Sequence, residues 1–149
     1  TSGLVLIDVR NPPEAEITSF LRRTKTIAIV GLSADRSRPS HGVARSLQGF
    51  GYRIIPVTPS ADEILGERCV PSLDQLGNVL REGESIDLVN VFRRPEHVAS
   101  IVEDCIRLKL PALWLQDGVI DEVAARQARN AGLFTVMDRC IFRDRAAMP

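Results

Sequence analysis

The sequence predicts an α/β fold, a doubly wound sheet of five parallel strands with helices on both faces. Two patterns carry that expectation. Five short segments are apolar at nearly every position, as strands covered on both faces must be, and stretches with apolar residues at helical spacing separate them. A third observation places a ligand. The first apolar run, Ile27-Ala-Ile-Val30, stops at Gly31, crosses a polar loop and enters a helix at Ser40. Parallel sheets offer backbone N–H groups to phosphates in this way.

Taken in order, Asn11-Pro-Pro-Glu14 opens a helix whose Ile17, Phe20 and Leu21 form a narrow apolar stripe. Residues 1–25 are accordingly an amphipathic helical extension that covers the sheet layer. Thr26 to Val30 is the first strand. Ser40 to about Phe50 is a helix with Val43, Ala44 and Leu47 on one face, stopped by Gly51. Arg53 to Val57 is the second strand, and Pro56 inside it calls for a position near the strand end or with a free N–H side. Residues 60–85 read as irregular, with a short helix around Ser72 to Leu80. Ile86 to Phe92 is the third strand. From Pro95 a helix runs to Leu110 with Val98, Ile101, Val102, Cys105 and Ile106 at helical spacing.

Ala112 to Gln116 is the fourth strand. Asp121 caps a helix through Asn130, with Val123, Ala124, Ala128 and Ala131 inward and Gly132 as its stop. Phe134 to Met137 is the fifth strand. Residues 26–143 form the domain proper. After Ile141 the chain reads as polar and weakly ordered, and residues 144–149 are expected to be a tail.

A chain of 149 residues supports one core and is too short for two ordinary domains. Lys plus Arg equals Asp plus Glu at 19 each, so no global field favours nucleic acid or an acidic membrane. No apolar run approaches the roughly 20 residues that span a bilayer, and no basic-then-apolar leader opens the sequence. Cys69, Cys105 and Cys140 share no metal-ligand spacing with one another or with His41 and His97. A reduced, metal-free, cytoplasmic protein is expected.

In a parallel sheet, loops that follow strands open on the carboxyl edge, and ligands bind where strand order reverses. Those loops are Gly31 to Ser40, Thr58-Pro59-Ser60, Phe92-Arg93-Arg94-Pro95, Gln116-Asp117-Gly118-Val119 and Asp138-Arg139-Cys140. Arg36, Arg38, Arg93 and Arg94 therefore stand on one rim although they are distant in the chain. Guanidinium forks suit phosphate oxygens, so a ligand with several phosphates is expected. The dinucleotide fingerprint G-x-G-x-x-G is absent, because Leu32 follows Gly31 and the next glycine is Gly42. The second strand also lacks the terminal carboxylate that accepts from the ribose hydroxyls of NAD. It ends Val57-Thr58-Pro59-Ser60, with no acid until Asp62. A phosphorylated ribose fits that end better than NAD, and NADP stays open on this point.

Several segments then line up in order: Ile29-Val-Gly-Leu-Ser33 with Arg38-Pro-Ser40, Gly51 to Pro59, Ile64-Leu-Gly66 with Pro71-Ser-Leu73, Asp87 to Arg94, Leu113-Trp-Leu-Gln116 with Gly118, Ala131-Gly132, and Val136 to Cys140. On these segments the chain from about Thr24 to Arg143 resembles the small single-domain CoA-binding proteins, relatives of the CoA-binding domain of succinyl-CoA synthetase. The resemblance implies a Rossmann-like sheet that holds coenzyme A or an acyl-CoA along its carboxyl edge. Gly31, Leu32 and Ser33 would approach the phosphates, with Arg36 and Arg38 in the same loop and Ser40, His41 and Gly42 opening the adjacent helix. Thr58, Pro59 and Ser60 would lie near the adenosine end. Phe92, Arg93 and Arg94 would flank the pyrophosphate or the pantetheine arm, and Gln116 and Gly118 complete the expected set. Thr58 stands where the family commonly has Asn, and Asp117 where it has an apolar residue.

No Ser/His/Asp order or paired-carboxylate spacing marks a catalytic centre. Relatives of succinyl-CoA synthetase use a phosphorylated histidine on a separate domain. His41, at a helix start, reads as a hydrogen-bonding group and His97 as an exposed residue of a first turn. Cys140, beside Asp138 and Arg139, is the one candidate nucleophile, suited at most to a mixed disulfide with the CoA thiol. The expected function is binding of CoA or acyl-CoA by a stand-alone domain that is not an enzyme. The alternative is an NAD(P)-binding oxidoreductase or redox-sensor domain.

Overall fold

The structure is a computed structural model that describes residues 10–149; residues 1–9 of the expected extension lie outside the described part. Its centre is the predicted sheet. β1 (Thr26–Val30), β2 (Arg53–Val57), β5 (Leu88–Val91), β6 (Ala112–Leu115) and β7 (Phe134–Val136) pair in parallel in the order β2-β1-β5-β6-β7. From β1 the chain moves outward to β2, then returns across β1 to β5. The order therefore reverses between β1 and β5, and a crevice opens above their carboxyl ends.

Strand alternation sends two apolar sets to opposite faces. On one face Ile27, Ile29, Leu88, Ala112 and Trp114 pack with α1 (Glu14–Arg23), α2 (Pro39–Gly49) and α5 (Ile141–Ala146). On the other, Ala28, Val30, Val89, Val91, Leu113 and Leu115 pack with α3 (Val98–Arg107) and α4 (Glu122–Asn130). Polar anchors set the layers. The Asp87 carboxylate accepts from the Lys25 and Thr26 N–H groups at 2.8 and 3.0 Å, fixing the start of β1. Tyr52 donates its hydroxyl to the Leu21 carbonyl at 2.7 Å, tying α1 to the chain entering β2. Asn11 exchanges two hydrogen bonds with the Met137 backbone, at 2.9 and 2.7 Å, and so pins the entry to α1 at the end of β7.

Pro56 occupies edge strand β2 opposite Ile29. Its carbonyl accepts from Val70 N–H on the outer side, where Thr58 N–H also donates, so its missing donor faces away from β1 as a proline in a sheet requires. Residues between β2 and β5 are largely irregular. They hold a two-stranded antiparallel ladder, β3 (Glu63–Ile64) with β4 (Glu67–Arg68), and the expected short helix appears as a 3-10 helix, Leu73–Asn78. The Pro95 segment opens with a 3-10 turn, Pro95–His97, before α3.

Three expectations need correction. The chain after Ile141 is helical through Ala146, because Ile141 is buried in the sheet layer and Met148 packs on the same cluster. These two apolar anchors lie outside any run long enough to show periodicity. In α4, Val123 is 72% exposed and Ala131 is also exposed, whereas Ala124, Ala125 and Ala128 face inward. The Asp121 side chain accepts from Ala124 N–H at 3.0 Å and sets that phase, turning the smallest side chains to the sheet. His97 is half-buried rather than exposed, since it ends the 3-10 turn beneath α3.

Cys105 is fully buried on α3, and burial, with Asp104 adding to it, pushes its thiol up to about 12 from 9.0. Unfolding frees that thiol to ionise at its ordinary value. Stability from this group is therefore complete below about pH 9 and declines as pH rises toward about 12. Urea unfolding at about pH 8 and about pH 10.5 is expected to show a decline that is shallower in Cys105→Ala by roughly 2 kcal/mol. Equal declines in the two proteins would show that the thiol stays protonated in both states.

Candidate functional site

A cleft of about 460 Å³ opens at the switch point, lined by Gly31 to Asp35, Thr58 to Ala61, and Arg93. The volume lies in the range of small-ligand sites. A larger groove of about 760 Å³ runs between α1 and the residues after α5, lined by Glu14, Arg22, Arg23 and Asp144 among others. It shares no residue with the strand-end loops, and the chemistry gathers in the smaller cleft.

Gly31 is the hinge of the site. Its φ of +86° suits glycine, and a Cβ there would stand 2.6 Å from the Phe92 carbonyl oxygen and 2.9 Å from Arg93 Cδ. The loops after β1 and β5 thus touch through the space a side chain would fill. Gly31 N–H donates to the Val57 carbonyl at 3.0 Å, so the end of β2 joins the same arrangement.

The loop from Leu32 to α2 is held by its own side chains. Ser33 N–H donates to Ser40 Oγ at 3.0 Å, and His41 Nδ1 donates to the Ser33 carbonyl at 2.9 Å. Asp35 N–H donates to Ser33 Oγ, and Asp35 Oδ1 accepts from both the hydroxyl and the N–H of Ser37. The Ser37 hydroxyl, then its N–H, hold the exposed Asp35 carboxyl below its ordinary value. Ser33 therefore has no free backbone donor. Leu32 and Ala34 N–H have no hydrogen-bond partner among the described residues and remain as donors at the cleft.

The four rim arginines divide. All stand on the carboxyl edge, but only Arg93 lines the cleft, half-buried and with no ion-pair partner among the described residues. Arg94 is 82% exposed at its side chain and pairs with Glu96 at 3.2 Å. Arg36 and Arg38 are exposed in the loop before α2. Membership of a strand-end loop does not decide which guanidinium faces the cleft, because that depends on which way each loop turns.

Of the other sequence-selected residues, Thr58, Pro59 and Ser60 line the cleft, and Thr58 Oγ1 accepts from Ser60 N–H at 3.2 Å. The Leu32 side chain is buried in the core, leaving its backbone at the site. Ser40 and His41 are buried and support the loop; neither they nor Gly42, Phe92, Gln116 and Gly118 line the cleft. Gly118 N–H donates to Asp138 Oδ1 at 2.8 Å, toward β7. Gln116 is buried and bonded to Asn90. Ala34, Asp35 and Ala61 line the cleft and were not selected; Asp35-Arg-Ser37 carried a usable signal, an Asx turn. Cys140 is half-buried ahead of α5, and the neighbouring Arg139 guanidinium is held by Asp144 at 2.9 Å from Nε. Among the described residues no group of three His, Cys, Asp or Glu side chains could hold a metal, and no helix is long and apolar enough to cross a membrane.

The chain as a whole is similar to known proteins. Residues 25–145 match the family profile described as CoA binding domain. The chain is 41% identical over 133 residues to the Bacillus subtilis protein YneT, described as uncharacterized, covering 89% of this chain and 94% of that one. It is 28% identical over 86 residues to the ADP-forming acetate–CoA ligase of Methanocaldococcus jannaschii, covering 58% of this chain and 11% of the ligase. A solved structure from Thermus thermophilus, cell-free ID.343, superposes with a TM-score of 0.82 at 33% identity, covering 91% of this chain and 98% of that one.

Proposed function

The chain belongs to the CoA binding domain family, and from that premise we propose that it binds coenzyme A, or an acyl-CoA, in the switch-point cleft as a binding module without chemistry of its own. The observation that carries the reading is the Arg93 guanidinium, unpaired among the described residues and lining the cleft, its stem packed directly against Gly31. With the free N–H groups of Leu32 and Ala34 it forms a small anion cradle for the pyrophosphate. The Gly31 turn lets the β1 loop lie against Phe92 and Arg93, which brings that guanidinium beside the Leu32 to Ala34 backbone. Thr58 and Ser60 bring hydroxyls and no carboxylate to the end of β2, which suits a ribose bearing a phosphate. Asp35 also lines the cleft, with its Oδ1 engaged by the Ser37 hydroxyl and N–H.

The NAD(P)-binding oxidoreductase or redox-sensor alternative is not favoured by the family. The two readings separate in one experiment. Thermal shift with CoA and NADPH in parallel should show CoA alone stabilising the protein, by about 2.7 kcal/mol at a hundredfold excess over its dissociation constant. Stabilisation by NADPH and not CoA, or by neither, would sink the proposal.

A further inference from the structure

One polar pair interrupts the apolar layer under α1, α2 and α5. Asn90 lies within β5, opposite Ile29 of β1 and Trp114 of β6, and Gln116 directly follows β6. Asn90 is 0% and Gln116 3% exposed, and Gln116 Nε2 donates to Asn90 Oδ1 at 2.8 Å. Asn90 Nδ2 is left buried with no hydrogen-bond partner among the described residues. An orphaned donor forfeits its hydration without return, and two apolar side chains of the same size would pack there at no such loss. Violations of this kind collect at functional sites.

The bond has a directional consequence. Because Gln116 turns its NH2 group inward to Asn90, its carbonyl oxygen Oε1 is the end left over, an acceptor with no partner among the described residues. Gln116 sits at the carboxyl edge two strands from Gly31, about 10 Å away at ordinary strand spacing. A ligand whose pyrophosphate rests on the Leu32 to Ala34 backbone beside the Arg93 guanidinium can lay its arm across the ends of β5 and β6. The arm of CoA is a flexible chain with two secondary amides, each carrying one N–H donor.

Resting on the CoA reading above, we propose that Gln116, oriented by Asn90, accepts a hydrogen bond from an amide N–H of the pantetheine arm. The pair thereby sets a preference for the whole cofactor over its nucleotide portion. Asn90 acts as a positioning residue and Gln116 as the contact.

The test is calorimetric titration with CoA and with 3′-phosphoadenosine 5′-diphosphate, the same nucleotide without the arm. The wild type should prefer CoA. Gln116→Met, which keeps the size and removes both the acceptor and the donor to Asn90, should weaken CoA by about 3- to 10-fold and leave the nucleotide alone unchanged. Asn90→Leu should lose the same selectivity while melting no lower than wild type, a combination that a structural role would not produce. If Asn90→Leu does not fold, Gln116→Met decides. Unchanged selectivity in Gln116→Met, or equal weakening of both ligands, overturns the assignment. A wild type that binds both probes equally also overturns it while sparing the CoA reading, whereas binding of neither overturns both.

Discussion

Gly31→Ala is expected to destabilise the protein by about 2–5 kcal/mol and to abolish CoA binding. Two costs add. An L residue held at a φ of +86° loses roughly 1–2 kcal/mol. Its Cβ would also stand 2.6 Å from the Phe92 carbonyl oxygen, a backbone atom that moves only if β5 moves. Overpacking of that kind adds about 1–3 kcal/mol. The melting temperature should fall by roughly 5–15 °C. A comparison within the same protein isolates the cause. Gly49, at the end of α2, has no atom within 4 Å of its built Cβ and no positive φ, so Gly49→Ala should hold or slightly raise stability. If Gly31→Ala melts like wild type and binds CoA, the β1 and β5 loops are not locked together as the structure places them.

Arg93→Ala should weaken CoA binding by about 1.5–3 kcal/mol, the value of a hydrogen bond to a charged group. Arg94→Ala should change it by less than about 0.5 kcal/mol, because that exposed side chain is already paired with Glu96. The salt dependence should follow the same division, with a shallower slope in the first variant and an unchanged one in the second. Titration at low and moderate salt reads both quantities. Equal affinity in Arg93→Ala and wild type would reduce the arginine to surface decoration and remove the observation on which the binding proposal stands.

Much of the architecture was legible beforehand. Each of the five predicted strands is present, and β1 and β2 have the predicted limits, because strands buried on both faces must be apolar throughout and their composition announces them. Pro56 pointed to a strand end or a free N–H side for a local reason, the missing donor, and in edge strand β2 that side faces away from β1. Legibility failed where a decision depended on distant partners. Nothing near Ile141 predicts α5, whose anchors Ile141 and Met148 find their burial only against the sheet layer. The phase of α4 was misjudged because Val123 and Ala131 fit an inward stripe as well as Ala125 does, until the Asp121 cap sets the rotation.

The cleft divides along the same line. That Gly31, Thr58 to Ser60 and Arg93 come together there follows from their places after strands, since a parallel sheet sends every such loop to one edge. The separation of Arg93 from Arg94 could not be found that way, nor could the Asn90–Gln116 bond, made across 26 residues of chain inside a run that reads as uniformly buried. Periodicity and composition are local properties, and they determined the class of fold, its strand order of appearance and the edge where the strand-end loops gather. Which side chains are spent on neighbours and which remain unpaired is a matter of tertiary contact, decided only when β1, β5 and β6 lie side by side.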